Sequence, residues 1–364
     1  MLKKTIRRLG ALAMVLAMAV SVFAVSASAV DGEQTPEATK FYIKKTVSVT
    51  GENVLAPNTT FEYTIENGTV AEGATGGNVT MPGTIGTVYV KNGVAADKIS
   101  IADSVFTPGT TAAKSYEAQN EITFATGMFT APGIYYYTVT EKGGSYDGIT
   151  YDNSTLKMYV YVVNDESTDS ASYKVDGIVV TKDGSTGKSE GFDNKYKVDE
   201  KNDGKLVLTK EVTGTQGNKG ANWTFKIKIA GPAGEKYLTS DTKTVIEANA
   251  KTATEVTLQH GQTFTIYGLS AEDKVEIKEE EANTEGYDTS YATKGKSDTD
   301  YGTATKYENA KGISVKGSAY VKVINDKNYT TPTGVIMTIA PYALMVVLAG
   351  AFAVVFLSRR NRAE

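Results

Sequence analysis

Three polar residues interrupt apolar strand faces in this chain, and they do so twice in the same order. Side chains along a β-strand alternate between two faces. Residues 132–141 (PGIYYYTVTE) open on a Pro-Gly turn signal and continue as an aromatic and β-branched run. Alternation puts Glu141 on the face of Tyr135, Tyr137 and Val139. Residues 41–49 (FYIKKTVSV) put Lys45 with Phe41, Ile43, Val47 and Val49, and residues 191–196 (GFDNKY) put Asn194 with Phe192 and Tyr196. In the second half, Lys210 shares a face with Leu206, Leu208 and Val212. Glu279 falls with Val275 and Ile277, and Asn325 with Val321 and Val323. A buried charge without a partner is costly, so these six residues need one another or need a reaction.

The reaction that the three residue types support together is formation of an amide between Lys and Asn side chains. Burial lowers a Lys pKa and raises a Glu pKa. The amine is then a nucleophile toward the Asn carboxamide carbon, the acid moves the protons, and ammonia leaves. The simpler alternative is a buried ion pair with an Asn beside it. The Lys…Glu…Asn order in both halves favours the crosslink.

The rest of the chain reads as all-β. Short runs rich in Val, Thr, Tyr and Ile are separated by Gly- and Asn-rich turns, the pattern of a sandwich. Expected strands of the first half include residues 41–49, 60–65, 86–90, 121–124, 134–141, 156–163, 173–182 and 191–196. Those of the second include 206–212, 223–229, 263–267, 274–278 and 318–324. The charged stretch 198–205 (VDEKNDGK) reads as a short linker. Of 364 residues none is Cys, so no disulfide staples the fold. The expected layout is a signal peptide at 1–29, sandwich domains at 30–199 and 200–328, and a C-terminal segment at 329–364.

The two ends carry an address. Lys3, Lys4, Arg7 and Arg8 precede an apolar run, and Ala27-Ser28-Ala29 is a small-residue cleavage signal. At the other end, residues 335–357 are apolar over a membrane-spanning length and are followed by Arg359, Arg360 and Arg362. With Thr330-Thr331-Pro332-Thr333-Gly334 before the run, this end resembles a sortase cell-wall sorting signal. It departs from the common Leu-Pro-x-Thr-Gly form and is closer to a Val-Pro-Thr-Gly variant. The resemblance implies cleavage between Thr333 and Gly334.

The runs Ile43-Lys44-Lys45, Tyr135 through Glu141, and Phe192-Asp193-Asn194 resemble the streptococcal-type pilin isopeptide linkage domain. The second half resembles a Cna-B-type domain. With the sorting signal, the resemblance covers nearly the whole chain and points to backbone (shaft) pilins of Gram-positive, sortase-assembled pili. It implies two tandem immunoglobulin-like β-sandwiches, with Lys45–Asn194 and Lys210–Asn325 crosslinks assisted by Glu141 and Glu279. It also implies an acceptor lysine for the next subunit, for which Lys188 is the nearest match and Lys182 the second. The partners implied are other copies of the chain, pilus and housekeeping sortases, ancillary pilins, peptidoglycan and a host surface. A monomeric wall-anchored adhesin or ancillary pilin on the same scaffold is the other reading.

Several function classes are disfavoured. The formal charge is −4, and both basic ends lie outside the central region, which is more acidic still; that argues against nucleic-acid binding. His260 is the sole histidine, which disfavours Ser-His catalysis and His-rich metal sites. Gly187-Lys188-Ser189 ends like a phosphate loop but lacks the leading Gly and the following helix. Asp298-Thr299-Asp300 lacks a calcium-loop pattern. No cofactor and no enzymatic turnover are expected beyond self-crosslinking.

Overall fold

The structure, a computed structural model, describes residues 40–82, 86–167, 171–185, 187–241, 244–329 and 333–360. The expected signal peptide and residues 330–332 lie outside the described residues. The described residues are all-β apart from short 3-10 turns and one C-terminal helix.

The N-terminal half closes two sheets over a shared core. One sheet runs in the order Ile149–Thr150, Gly191–Lys197, Phe41–Thr50, Ser115–Phe124, Ile99–Ile101. The other contains Tyr173–Lys182, Thr155–Asn164, Gly133–Glu141, Thr87–Asn92 and Gly76–Thr80, with Tyr63–Asn67 also paired to Gly133–Glu141. Ile43, Tyr137, Val139, Leu156, Met158 and Val160 are completely buried between them. Here the period-2 alternation does what the residue pattern demands: every second residue of Phe41–Thr50 is buried, Lys45 included.

The second half repeats the plan. Its first sheet has the order Thr263–Ile266, Leu206–Thr213, Ala319–Asp326, Asp288–Lys294, Thr305–Lys306. Its second has Thr254–Leu258, Trp223–Ala230, Lys274–Glu279, Ile313–Lys316. Leu206, Leu208, Val212, Phe225, Val275, Val321 and Val323 are completely buried.

In both halves the opening and closing strands lie side by side and parallel. Phe41–Thr50 pairs with Gly191–Lys197, and Leu206–Thr213 pairs with Ala319–Asp326. Gly191 makes the first of these pairings possible. A Cβ there would stand 1.8 Å from the Lys44 carbonyl oxygen, so any other residue would push the two strands apart beside Lys45.

One expectation needs revision and another gains detail. Residues 60–65 do not form one strand. Thr59–Phe61 pairs with Ser104–Phe106 and Tyr63–Asn67 pairs with Gly133–Glu141, so the chain changes sheet partner at Glu62. Residues 198–205, read as a short linker, are packed into the fold. Val198, Asp199 and Asn202 are buried. Asp199 accepts hydrogen bonds from the Ser318 backbone N–H (2.9 Å) and hydroxyl (2.7 Å), and Asn202 donates to the Ser318 carbonyl (2.6 Å). Charge in that stretch serves hydrogen bonds to the second half, which a reading by composition does not see.

The C-terminal helix spans Thr333–Arg360 and contains Pro341. Its segment Pro341–Arg359 has a mean hydropathy of 2.2, is wholly unburied, and is long and apolar enough to cross a membrane.

Candidate functional site

Register places the polar residues of the opening and closing strands. Lys45 lies opposite Phe192, and Asn194, two residues further along the same face, lies opposite Val47. The second half has the same offset: Lys210 is opposite Val323, and Asn325 is opposite Val212. Glu141 and Glu279 come from the facing sheets, at the ends of Gly133–Glu141 and Lys274–Glu279. All six expected residues are therefore brought together, three in each core.

In the first core, the side chains of Lys45 and Glu141 are fully shielded from solvent and form an ion pair through Nζ and Oε2. Asn194 Nδ2 donates to Glu141 Oε1 at 2.7 Å. One carboxylate thus touches both the amine and the carboxamide. Lys45 Nζ also lies 4.5 Å from the Phe61 ring centroid and 6.0 Å from that of Phe192. These rings keep water out and supply little solvation, so burial lowers the Lys45 pKa although Glu141 opposes the shift.

The second core is built alike. Lys210 Nζ donates to Glu279 Oε1 (3.1 Å) and Oε2 (3.0 Å), and Asn325 Nδ2 donates to Glu279 Oε1 at 2.5 Å. Lys210 Nζ sits 4.5 Å from the Trp223 ring and 5.9 Å from Phe225. Burial pulls the Lys210 pKa down to about 8, against the attraction of Glu279. Burial pushes the Glu279 carboxyl up, with Lys210 and Asn325 opposing. The Glu279 backbone N–H is satisfied by the Tyr307 hydroxyl at 2.8 Å.

An ion pair of this kind is isoprotonic with a neutral amine beside a neutral acid. Low solvation narrows the gap between the two forms. The neutral form holds a nucleophile, a proton donor and a carboxamide in one closed space, so the arrangement suits acyl transfer from Asn to Lys.

Sequence reading missed one element of the first site. The Asp152 backbone N–H donates to Asn194 Oδ1 at 2.7 Å. The Asp152 carboxylate accepts from Lys182 Nζ (2.8 Å), the Asp193 N–H (3.0 Å) and the Ser154 N–H (3.0 Å). Burial opposes its charge, but these donors hold its carboxyl well below the usual carboxylate range. Asp152 sits outside any alternating run, so only its turn chemistry, Asp followed two residues later by Ser, could have drawn attention to it.

The remaining expected residues lie elsewhere. Lys188 is exposed and forms a β-bridge with Thr181 beside the closing strand. Lys182 is committed to Asp152. Thr333 and Gly334 open the C-terminal helix. His260, the sole histidine, is partly buried and accepts from the Val212 N–H through Nδ1 at 3.0 Å, which caps the strand carrying Lys210. Among the described residues no group of three or more His, Cys, Asp or Glu is placed to hold a metal ion.

Residues 41–197 match the Spy0128-like isopeptide containing domain, and residues 204–327 match a domain of unknown function, DUF7601. Over 352 residues the chain is 25% identical to a pilin of Streptococcus pyogenes serotype M1, covering 92% of this chain and 95% of that one. The chain belongs to the streptococcal-type pilins. A solved major pilin of S. pyogenes shares the fold with a TM-score of 0.53 at 22% identity, covering 81% of this pilin and all of that chain. The T3.2 major pilin of S. pyogenes serotype GAS13637 also superposes with a TM-score of 0.53 at 20% identity, covering 79% and 97%. As a pilin this is a structural protein, a pilus subunit, and the isopeptide-containing family falls on the half that holds Lys45, Glu141 and Asn194.

Proposed function

We propose that this pilin is the shaft subunit of a covalent surface pilus, closed internally by Lys45–Asn194 and Lys210–Asn325 amides and joined to its neighbours by a sortase. The observation that carries the internal chemistry is the shared carboxylate. In each core one buried Glu contacts both the Lys amine and the Asn carboxamide.

The step balances without any co-reactant. The neutral Lys Nζ attacks the Asn Cγ, and a C–N bond forms. Glu takes a proton from Nζ and gives one to Nδ2. The old C–N bond breaks, ammonia departs, and Glu returns to its starting state. Each half closes once, so the chain is not a turnover enzyme.

Polymerisation and anchoring rest on the C-terminal segment. The residues before Gly334 and the exposed apolar helix support a sorting signal in which Thr333 becomes the acyl group. Lys188, exposed beside the closing strand, is the proposed acceptor on the next copy. Ancillary pilins, peptidoglycan and a host surface are the further proposed partners, and the cell wall is the proposed location.

Peptide mapping of wall-extracted polymer tests the reading. Linked peptides joining Lys45 to Asn194, Lys210 to Asn325 and Thr333 to Lys188 are expected. A monomer released intact from the wall, with no Thr333 linkage to another copy, would instead make it an anchored adhesin or ancillary pilin.

A further inference from the structure

The two cores differ in what meets the Asn side-chain oxygen. Asn194 Oδ1 accepts from the Asp152 N–H at 2.7 Å, whereas Asn325 Oδ1 is buried and no donor among the described residues reaches it. The cause lies in the strand that flanks each closing strand. In the second half that strand, Asp288–Lys294, stays in the backbone ladder from Asp288↔Asp326 to Lys294↔Tyr320. It runs straight past Asn325. In the first half the flanking strand is only Ile149–Thr150, paired at Ile149↔Tyr196 and Thr150↔Lys195. The chain then leaves the ladder, and the Asp152 N–H is released to the Asn194 side chain.

We propose that the Asp152 backbone N–H is the oxyanion donor of the first crosslink, and that Lys182 is a positioning residue that holds it there. This rests on the crosslinking reading above. An N–H can face only the oxygen of a carboxamide, so it fixes which way Asn194 points. The amide nitrogen, the leaving group, is then turned to Glu141, which contacts it at 2.7 Å. When Lys45 Nζ adds to Cγ, the charge develops on Oδ1, already at a preorganised donor. The electron pair collapses back to expel Nδ2 as ammonia, carrying the proton from Glu141. Lys182 acts through Asp152 alone: it pins the carboxylate at 2.8 Å, and the Asp193 and Ser154 N–H groups complete the clamp. In the second core no donor among the described residues meets Asn325 Oδ1, and the neutral Glu279 acid must supply the donor itself.

The two halves therefore close at different rates, and the second serves as an internal control. The test is cell-free synthesis of the full chain in detergent micelles, quenched at intervals, with peptide mapping of both junctions. Replacing Asp152 by its α-hydroxy acid analogue deletes the N–H and keeps the carboxylate. Closure of Lys45–Asn194 is expected to slow by about 100-fold, with Lys210–Asn325 unchanged. Lys182→Met is expected to slow the first junction several-fold, and Lys182→Arg, which keeps a cation on Asp152, to restore it. A first junction that closes at the wild-type rate in the hydroxy-acid variant overturns the proposal. A wild-type chain in which that junction never closes overturns instead the crosslinking reading beneath it.

Discussion

Lys45 and Asn194 stand on neighbouring parallel strands, two residues out of register, and both reach Glu141. Lys210 and Asn325 repeat the offset around Glu279. The same three side chains stand at the same register in two separate cores, and the reaction proposed for both has measurable products.

The mature ectodomain is expected to weigh about 34 Da less than its sequence, one ammonia for each of two amides formed by acyl transfer. Intact mass spectrometry decides this directly. An unshifted mass would remove both crosslinks.

Glu141→Ala is expected to leave the first half open and the second closed, so that only one ammonia is lost. The open half also loses a covalent loop and keeps a buried amine without its counter-ion. By analogy with disulfide loops of this size, the loop alone is worth about 4–5 kcal/mol. Calorimetry should show a lower melting temperature, and a fully closed first half in this variant would dismiss Glu141 from its role.

Closure of the second half should have a defined upper pH edge. The reactive form, neutral amine with neutral acid, carries the same number of protons as the ion pair. Its population is therefore level until the pair loses its last proton, with Lys210 falling at about 8. Above that pH the amine remains neutral but Glu279 is anionic, so the rate declines. A rate still climbing well above pH 8 would show that no acid is needed.

Lys188→Ala is expected to abolish the high-mass ladder in cell-wall extracts, while the monomer stays internally crosslinked. Lys188 is exposed, whereas Lys182 is held by Asp152. A ladder that persists would move the acceptor to Lys182.

Glu235 of the second half is buried and accepts a hydrogen bond from the Tyr196 hydroxyl of the first half. Burial raises its pKa to about 7, with the Tyr196 and Tyr237 hydroxyls opposing the shift and Asp273 adding to it. The folded chain thus holds a proton that the unfolded chain releases between about pH 4.5 and 7. Stability from this group is full below that window and is lost as pH rises through it, on the order of 3 kcal/mol. Glu235→Gln should flatten the difference in unfolding free energy between pH 5 and pH 8; an unchanged difference would place the titration elsewhere.

How far the sequence discloses this molecule depends on the kind of signal. Lys45, Glu141 and Asn194 were visible because each breaks a stripe of period two, and so were their counterparts. Strands of polar composition were not. Ser115–Phe124 reads SYEAQNEITF, and only its last four residues look like a strand, yet it pairs with Phe41–Thr50 along nearly its whole length. Asp288–Lys294 was missed for the same reason. Asp152 was hidden more deeply. Its contribution is a backbone N–H, and which N–H groups a ladder leaves over is decided by pairing between distant segments. Composition marks residues 198–205 as a short linker, but it does not show that Asp199 and Asn202 spend their polarity inside the fold.

The parallel pairing of opening and closing strands has a mechanical consequence. In each sandwich the chain enters along one strand and leaves along its neighbour in the same direction. A pull along the fibre would otherwise shear those two strands apart. With the proposed amide bridging them, force entering the second sandwich at Lys210 would pass straight to Asn325, and everything threaded between those residues would be slack, while a neighbour joined at Lys188 would load the closing strand of the first sandwich directly. A filament crosslinked in this way would have almost no length to give up before a covalent bond must break, and it would behave as a cable, not a spring.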